Sequence, residues 1–231
     1  MQPATDNATP SDFLIGLDLG QSADYSALTV LQRFHAEQPS RYHLRHLERF
    51  RLGTPYPDQV ERVKALISRE PLQGKSHLIV DQTGVGKPVV DMLKREIQRI
   101  PIISILIHGG DAVGEEEGRQ FRVPKRDLVG ALQLLLQSKR LQVAEGLQDA
   151  SLLVQELLNF KVKINAGGHD TFEAWREGAH DDLVLSAAMS CWYGEHKPHG
   201  KIEFLSSGTR ESTRMFAGFG GGTFPRDFKG Y

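Results

Sequence analysis

Cysteine is almost absent from this chain. The single one, Cys191, has no partner within the molecule, so no disulfide framework holds the fold and a reducing cytosol suits it. It lies in an apolar helical run and reads as a buried, inert thiol. Net charge is nearly absent as well. The 28 Lys and Arg against 29 Asp and Glu leave a formal −1, so the bulk balance announces neither a nucleic acid nor a membrane partner. An acidic site can still offset a basic binding face in the same sum. No segment reaches the roughly 18 consecutive apolar residues of a membrane span. The polar start "MQPATDNATPSD" lacks the basic-then-apolar order of a secretory signal. Internal repeats are missing too.

What is there is the material of a globular protein: 39% hydrophobic and 25% charged residues in a chain of 231. That length suits one large domain, with or without a small appendage, and buries a substantial core. Residues 1–11 are expected to be a disordered leader, 12–196 the domain, and 197–231 a flexible tail carrying "GFGGG".

Within the domain, "FLIGLDLG" (13–20) reads as a buried strand. "ALTVLQRF" (27–34) and "RYHLRHLERFRL" (41–52) alternate as strands with one wet face do. Short linkers make these three an antiparallel meander. A helix over 57–70, a strand over 76–82, a helix over 86–99 and a strand over 100–110 follow. The segment "GGDAVGEEEGRQ" reads as a loop, with 115–117 solvated or forming a flap. Helices are expected over 124–140 and 147–160, then a short hairpin, then a helix over 179–194. The small Ala187 and Ala188 would bring that last helix close to a sheet. The order predicts an α/β fold: a mixed sheet, three antiparallel strands then parallel ones, with helices on both faces.

"VDQTGVGKP" (80–88) imitates half of a nucleotide-binding P-loop, but fails it chemically. The first required glycine is Asp81, which would repel phosphate. The required hydroxyl after the lysine is Pro88. Lys87 then reads as a solvated side chain or as a contact to a polymer's phosphates.

Asp81 draws attention for another reason. It closes the apolar strand "LIVD", as Asp18 closes "IGLD". His180, Asp181 and Asp182 stand ahead of the last helix. Ionised carboxylates sit poorly beside buried strands unless paired or bound to a cation. If the strands ending in Asp18 and Asp81 are neighbours, and the last helix crosses them, the acids converge. Such a cluster suits Mg²⁺ or Mn²⁺. Two ions about 4 Å apart would activate water and stabilise a leaving oxygen in phosphodiester cleavage. Each acid also has a plain reading, as a turn former or a helix cap. His43 and His46, three apart on a strand, are expected on opposite faces and make a poor metal pair.

"GLDLGQSADYSALTVL", "LIVDQTGVGKPVVDML", "VPKRDLVGALQLLLQSKRLQV" and "HDDLVLSAAMSCW" occur in this order. Together, over about residues 13 to 194, they resemble the C-terminal nuclease domain of phage terminase large subunits, DNA-packaging motors of tailed phages. The resemblance implies an RNase H-like fold and a metal-dependent endonuclease with a two-metal mechanism. Asp18 and Asp81 match the family's first two metal-binding acids. Asp181 and Asp182 match its final pair, with Asp182 the favoured direct ligand, and His180 matches the histidine beside them. Asp24 falls where relatives often carry a further acid. Lys125 and Arg126 are candidate DNA contacts beside Lys87, and Arg119, Arg122, Lys139 and Arg140 extend the candidate basic face.

The implied partners are double-stranded DNA, a separate ATPase subunit, a small terminase or a portal; the implied setting is the cytoplasm of a phage-infected or lysogenic host. Complete large subunits carry an ATPase motor before the nuclease. Only a dozen polar residues precede the first strand here, so the motor is expected to be missing. An excised domain, a split gene and a free-standing nuclease all stay open. Competing readings are a junction resolvase or other RNase H-like nuclease, and a non-catalytic packaging or DNA-docking module. An actin-like ATPase would need two domains and a longer chain.

Overall fold

The computed structural model describes residues 11–20, 24–35, 38–84, 86–117, 119–159, 163–164, 170–171 and 180–196. The expected leader, except Ser11, and the expected tail lie outside them. Fifteen elements follow in order: β1 Ser11–Asp18, β2 Ala27–Phe34, β3 Arg41–Arg49, α1 Tyr56–Ile67, β4 Ser76–Asp81, α2 Gly86–Glu96, β5 Ile102–His108, β6 Gly114–Glu116, β7 Gln120–Pro124, α3 Lys125–Gln137, β8 Leu141–Val143, α4 Ala150–Asn159, β9 Lys163–Ile164, β10 Asp170–Thr171 and α5 Asp182–His196. The pair β9–β10 forms the short hairpin expected there.

Eight strands form one sheet in the order β6-β7-β5-β4-β1-β2-β3-β8. β1, β2 and β3 pair antiparallel, as their short linkers require. β4 then returns alongside β1 in parallel, and β5 and β7 continue the parallel set. Each strand's alternation distributes its side chains to two cores. Leu14, Ile79, Ile103, Ile105, Phe121 and Val123 pack with α3, α4 and α5. Ile15, Leu17, Leu78 and Val80 pack on the other face with α1 and α2. Helices therefore cover both faces of a mixed sheet, as expected.

Three expectations need correction. The Gly- and Glu-rich segment before α3 is not all loop: β6 pairs antiparallel with β7 and forms the sheet's edge. Its charged residues disguise it, but charge on an edge strand is what discourages further pairing. The three-residue β8 extends the opposite edge from the stretch between the helices expected over 124–140 and 147–160, which reads as holding no strand. His43 and His46 do not point to opposite faces. Val30 opposes His46 and Leu31 opposes Leu44, leaving Arg45 as an extra residue in β3. This bulge shifts the alternation by one, so both histidines share a face. They have separate engagements there, His43 edge-on to Phe34 at 4.7 Å and His46 3.0 Å from a Glu48 carboxylate oxygen.

α5 is the central helix, and it is buried nearly all round rather than along one stripe. It packs on β1 and β2 and against α3. Gly16 makes the approach to β1 possible: a Cβ there would fall 1.9 Å from the Ser186 carbonyl oxygen. The Ser186 hydroxyl donates to the Gly16 carbonyl at 2.9 Å. At the far end of the helix, buried Arg33 donates to Asp12 at 2.9 and 2.6 Å and to the Gly194 carbonyl at 3.1 Å. Cys191 is fully buried, as expected, and burial raises its thiol pKa.

Candidate metal centre

The alternation of β1 and β4 decides where the strand-end acids point. Gly16 faces α5, so Asp18, two residues on, faces the same way. Ile79 packs on the α5 side, so Asp81 does too. The parallel register pairs Leu17 with Val80, and the two aspartates come one step later, at the carboxyl ends of neighbouring strands. The first turn of α5 begins over that edge with Asp182.

The electrostatics follow from this convergence. Asp18 is 7% exposed, and its carboxyl is pushed well above the ordinary range, first by burial and then by the charges of Asp81, Asp182 and Asp181; Lys125 opposes the shift. Asp81 is also raised, chiefly by burial, with the hydrogen bonds of Thr83 and the charge of Lys125 opposing. Asp182 is raised to about 6 by burial, with Arg49 pulling it down and Asp181 pushing it up. Acids that raise one another are short of positive charge.

Protein cations supply part of that charge. Lys125, at the start of α3, donates to Asp181 at 2.7 Å. Arg49, at the end of β3, lies 3.3 Å from Asp182 Oδ2 and pairs with Glu156 of α4. His180 Nδ1 is 3.8 Å from Asp182 Oδ2, and its ring stands edge-on to Tyr25 at 4.7 Å. Asp81 accepts the Thr83 amide at 2.7 Å, and the Thr83 hydroxyl accepts the Ile107 amide at 2.7 Å, which ties the loop after β4 to β5. Asp81 thus stabilises its own turn as well as facing the cluster.

Among the described residues, no three His, Cys, Asp or Glu side chains are gathered tightly enough to hold an ion as they stand. The donor set nevertheless fits a hard divalent cation: several carboxylates, no thiolate, and one buried oxygen, Asp182 Oδ2, with no hydrogen bond.

The expected phosphate contacts fare differently. Lys87 is exposed in the first turn of α2. Lys125 belongs to the acid cluster through Asp181. Arg126 is engaged by Asp111 at 2.6 Å. Arg140 is held by Glu195 at 2.6 and 3.0 Å and by the Ser40 carbonyl, so it braces the fold. Asp24 is exposed.

Arg49 and Glu156 are the site neighbours that sequence reasoning missed. Glu156 had a legible signal, an acid on the same stripe of α4 as buried Leu153. Arg49 had none. Without the Arg45 bulge, Glu48 would face α5; with it, Glu48 faces α1 and pairs with Arg62 at 2.8 Å.

An α/β sheet in this strand order, with acids from β1, β4 and the first turn of α5 at one edge, has the RNase H-like architecture. The relatives narrow that class. The large terminase subunit of Thermus phage G20c is 28% identical over 191 residues, 83% of this chain. The match spans about a third of that relative's length, 33%. The crystal structure of the large terminase nuclease from phage G20c superposes with a TM-score of 0.54 at 26% identity, covering 78% of this chain and 81% of that one. The large terminase nuclease domain of bacteriophage SPP1, solved with bound Mn, shares the fold at 12% identity and a TM-score of 0.50, covering 85% and 92%. No family model matches the chain. The chain's sequence relatives are terminase large subunits, and its structural neighbours are terminase nuclease domains.

Proposed function

We propose that this protein is a metal-dependent DNA endonuclease of the phage terminase type. The observation that carries the reading is the convergence of Asp18, Asp81 and Asp182 from three elements onto one edge of the sheet, where the charges of Asp81 and Asp182 raise Asp18 and that of Asp181 raises Asp182. The similarity to terminase nucleases supports it, as does the manganese bound in the SPP1 relative.

Asp18, Asp81 and Asp182 would hold the metal, with Asp181 as the fourth acid and His180 beside it. Two Mg²⁺ or Mn²⁺ ions in such a site supply an activated water and charge stabilisation at the leaving oxygen. The chain's own part is orientation. β1 and β4 fix two carboxylates on a rigid sheet, and α5 brings the third. The ammonium of Lys125 neutralises Asp181 and is proposed also to meet a phosphate. Lys87, Arg119, Arg122 and Lys139, all exposed, are the candidates left for the DNA backbone. Double-stranded DNA is the proposed substrate. An ATPase subunit, a small terminase and a portal are the proposed partners, and the host cytoplasm the proposed setting. The domain is proposed to span residues 12–196.

The test is cleavage of plain duplex, a four-way junction and an RNA–DNA hybrid in Mn²⁺, with Asp18→Asn beside the parent protein. The reading predicts that duplex is cut, and that Asp18→Asn loses more than about 100-fold in rate, beyond the usual effect of a residue one layer removed from a metal. Preference for the junction or the hybrid would overturn the terminase assignment. Undiminished cutting by the variant would overturn the site.

A further inference from the structure

Asp182 opens α5, yet the amides of that first turn are capped from another helix. Glu156 Oε2 accepts the amides of Leu183 at 3.0 Å and Val184 at 3.1 Å. The neighbouring acid does not serve, because the Asp181 carboxylate is bound to Lys125. A local acid before a helix ordinarily spends its carboxylate on these donors. Here the cap is borrowed, and Asp182 Oδ2 remains buried without a hydrogen bond.

Glu156 is 5% exposed, and a charge so buried needs a partner. Arg49 supplies it. The same residue's amide donates to Asp149 Oδ2 at 3.1 Å, just before α4, and its guanidinium lies over the Tyr25 ring at 4.8 Å. Arg49 thus binds the α4 region at two points while standing 3.3 Å from Asp182. It faces this way only because of the bulge at Arg45.

We propose that Arg49 and Glu156 are positioning residues that hold the first turn of α5 and so aim Asp182 into the metal centre. Glu156 takes the helix-end donors that would otherwise draw in a local carboxylate. Arg49 fixes Glu156 and stands 3.3 Å from Asp182 Oδ2. The pair touches neither metal nor substrate in this scheme, and it acts through the placement of one oxygen ligand. The inference rests on the metal-centre reading above.

The experiment is calorimetric titration with Mn²⁺ alone, on the full chain, for the parent protein, Glu156→Gln, Arg49→Lys and Leu153→Ala, each below its unfolding transition. Glutamine keeps an acceptor for the amides but leaves Arg49 without its counter-charge. Leu153→Ala loosens α4 through its core contact without touching the pair. Loss of a partner behind a ligand typically weakens metal binding by about 10- to 100-fold. That loss is expected for Glu156→Gln, with a smaller one for Arg49→Lys and parent-like affinity for Leu153→Ala. Parent-like affinity in Glu156→Gln overturns the proposal. So does an equal loss in Leu153→Ala, which would make the pair merely structural. If Glu156→Gln does not fold, Arg49→Lys is read by the same criteria. Absence of Mn²⁺ binding by the parent protein would instead contradict the metal centre itself.

Discussion

Asp182 and Glu156 sit in one buried network at about 6 and about 7, both raised mainly by burial and both opposed by Arg49. Raised acids carry a definite sign in linkage. The unfolded chain ionises them first, near their ordinary values, so the folded state holds the extra protons. Their contribution to stability is full below about pH 4 and is lost as pH climbs through about 7. The metal-free protein is therefore expected to melt at a lower temperature at pH 8 than at about pH 5, and saturating Mn²⁺ is expected to restore the loss at pH 8. A thermal-melt series with and without Mn²⁺ checks this, and a midpoint that rises steadily with pH would contradict it. Glu48 works the other way. His46 and Arg62 lower it to about 2, so its effect falls in a separate, more acid window. The acids proposed for the centre stand out in the sequence as residues, because each ends an apolar strand or opens an apolar helix. Their counter-charges were not. Lys125 reads as a DNA contact and proves to be the partner of Asp181.

At the scale of elements, the meeting of α5 with β1 controls the site, since it sets the distance between Asp182 and the strand-end acids. Gly16 permits that meeting. Gly16→Ala would drive a methyl against the Ser186 carbonyl, with 1.9 Å between them before relaxation. Overpacking of this kind costs about 1–3 kcal/mol, and backbone is harder to move than a side chain. Chemical denaturation should show a loss at or above that range, and a loss below about 0.5 kcal/mol would show that α5 shifts freely. The principal strands and helices were readable from periodicity because each spans enough residues to display it. β6 and β8, at three residues each, are too short to show a period. The bulge in β3 leaves no compositional mark, since it arises from pairing with β2 rather than from β3 alone. The bulge nevertheless turns Arg49 toward α5.

At the scale of the molecule, the sheet is a platform with two cores and one acidic edge. α1 and α2 close one face, and α3, α4 and α5 close the other. The acids gather beyond the carboxyl ends of parallel strands, where α/β sheets commonly place their ligands. This architecture was legible from the order of elements, because short links dictate antiparallel neighbours and helical crossovers dictate parallel ones. The basic binding face was less legible. Arg126 and Arg140, exposed charges by composition, are held by Asp111 and Glu195.

A nuclease built on these acids is tested most directly by plasmid cleavage with Mn²⁺, with Mg²⁺ and with EDTA, using the parent protein and Asp81→Asn. Nicking and linearisation are expected to require the metal and to vanish in the variant, while the variant keeps a cooperative thermal transition. Cleavage that survives EDTA, or that a folded Asp81→Asn performs as well as the parent, would contradict a nuclease built on these acids.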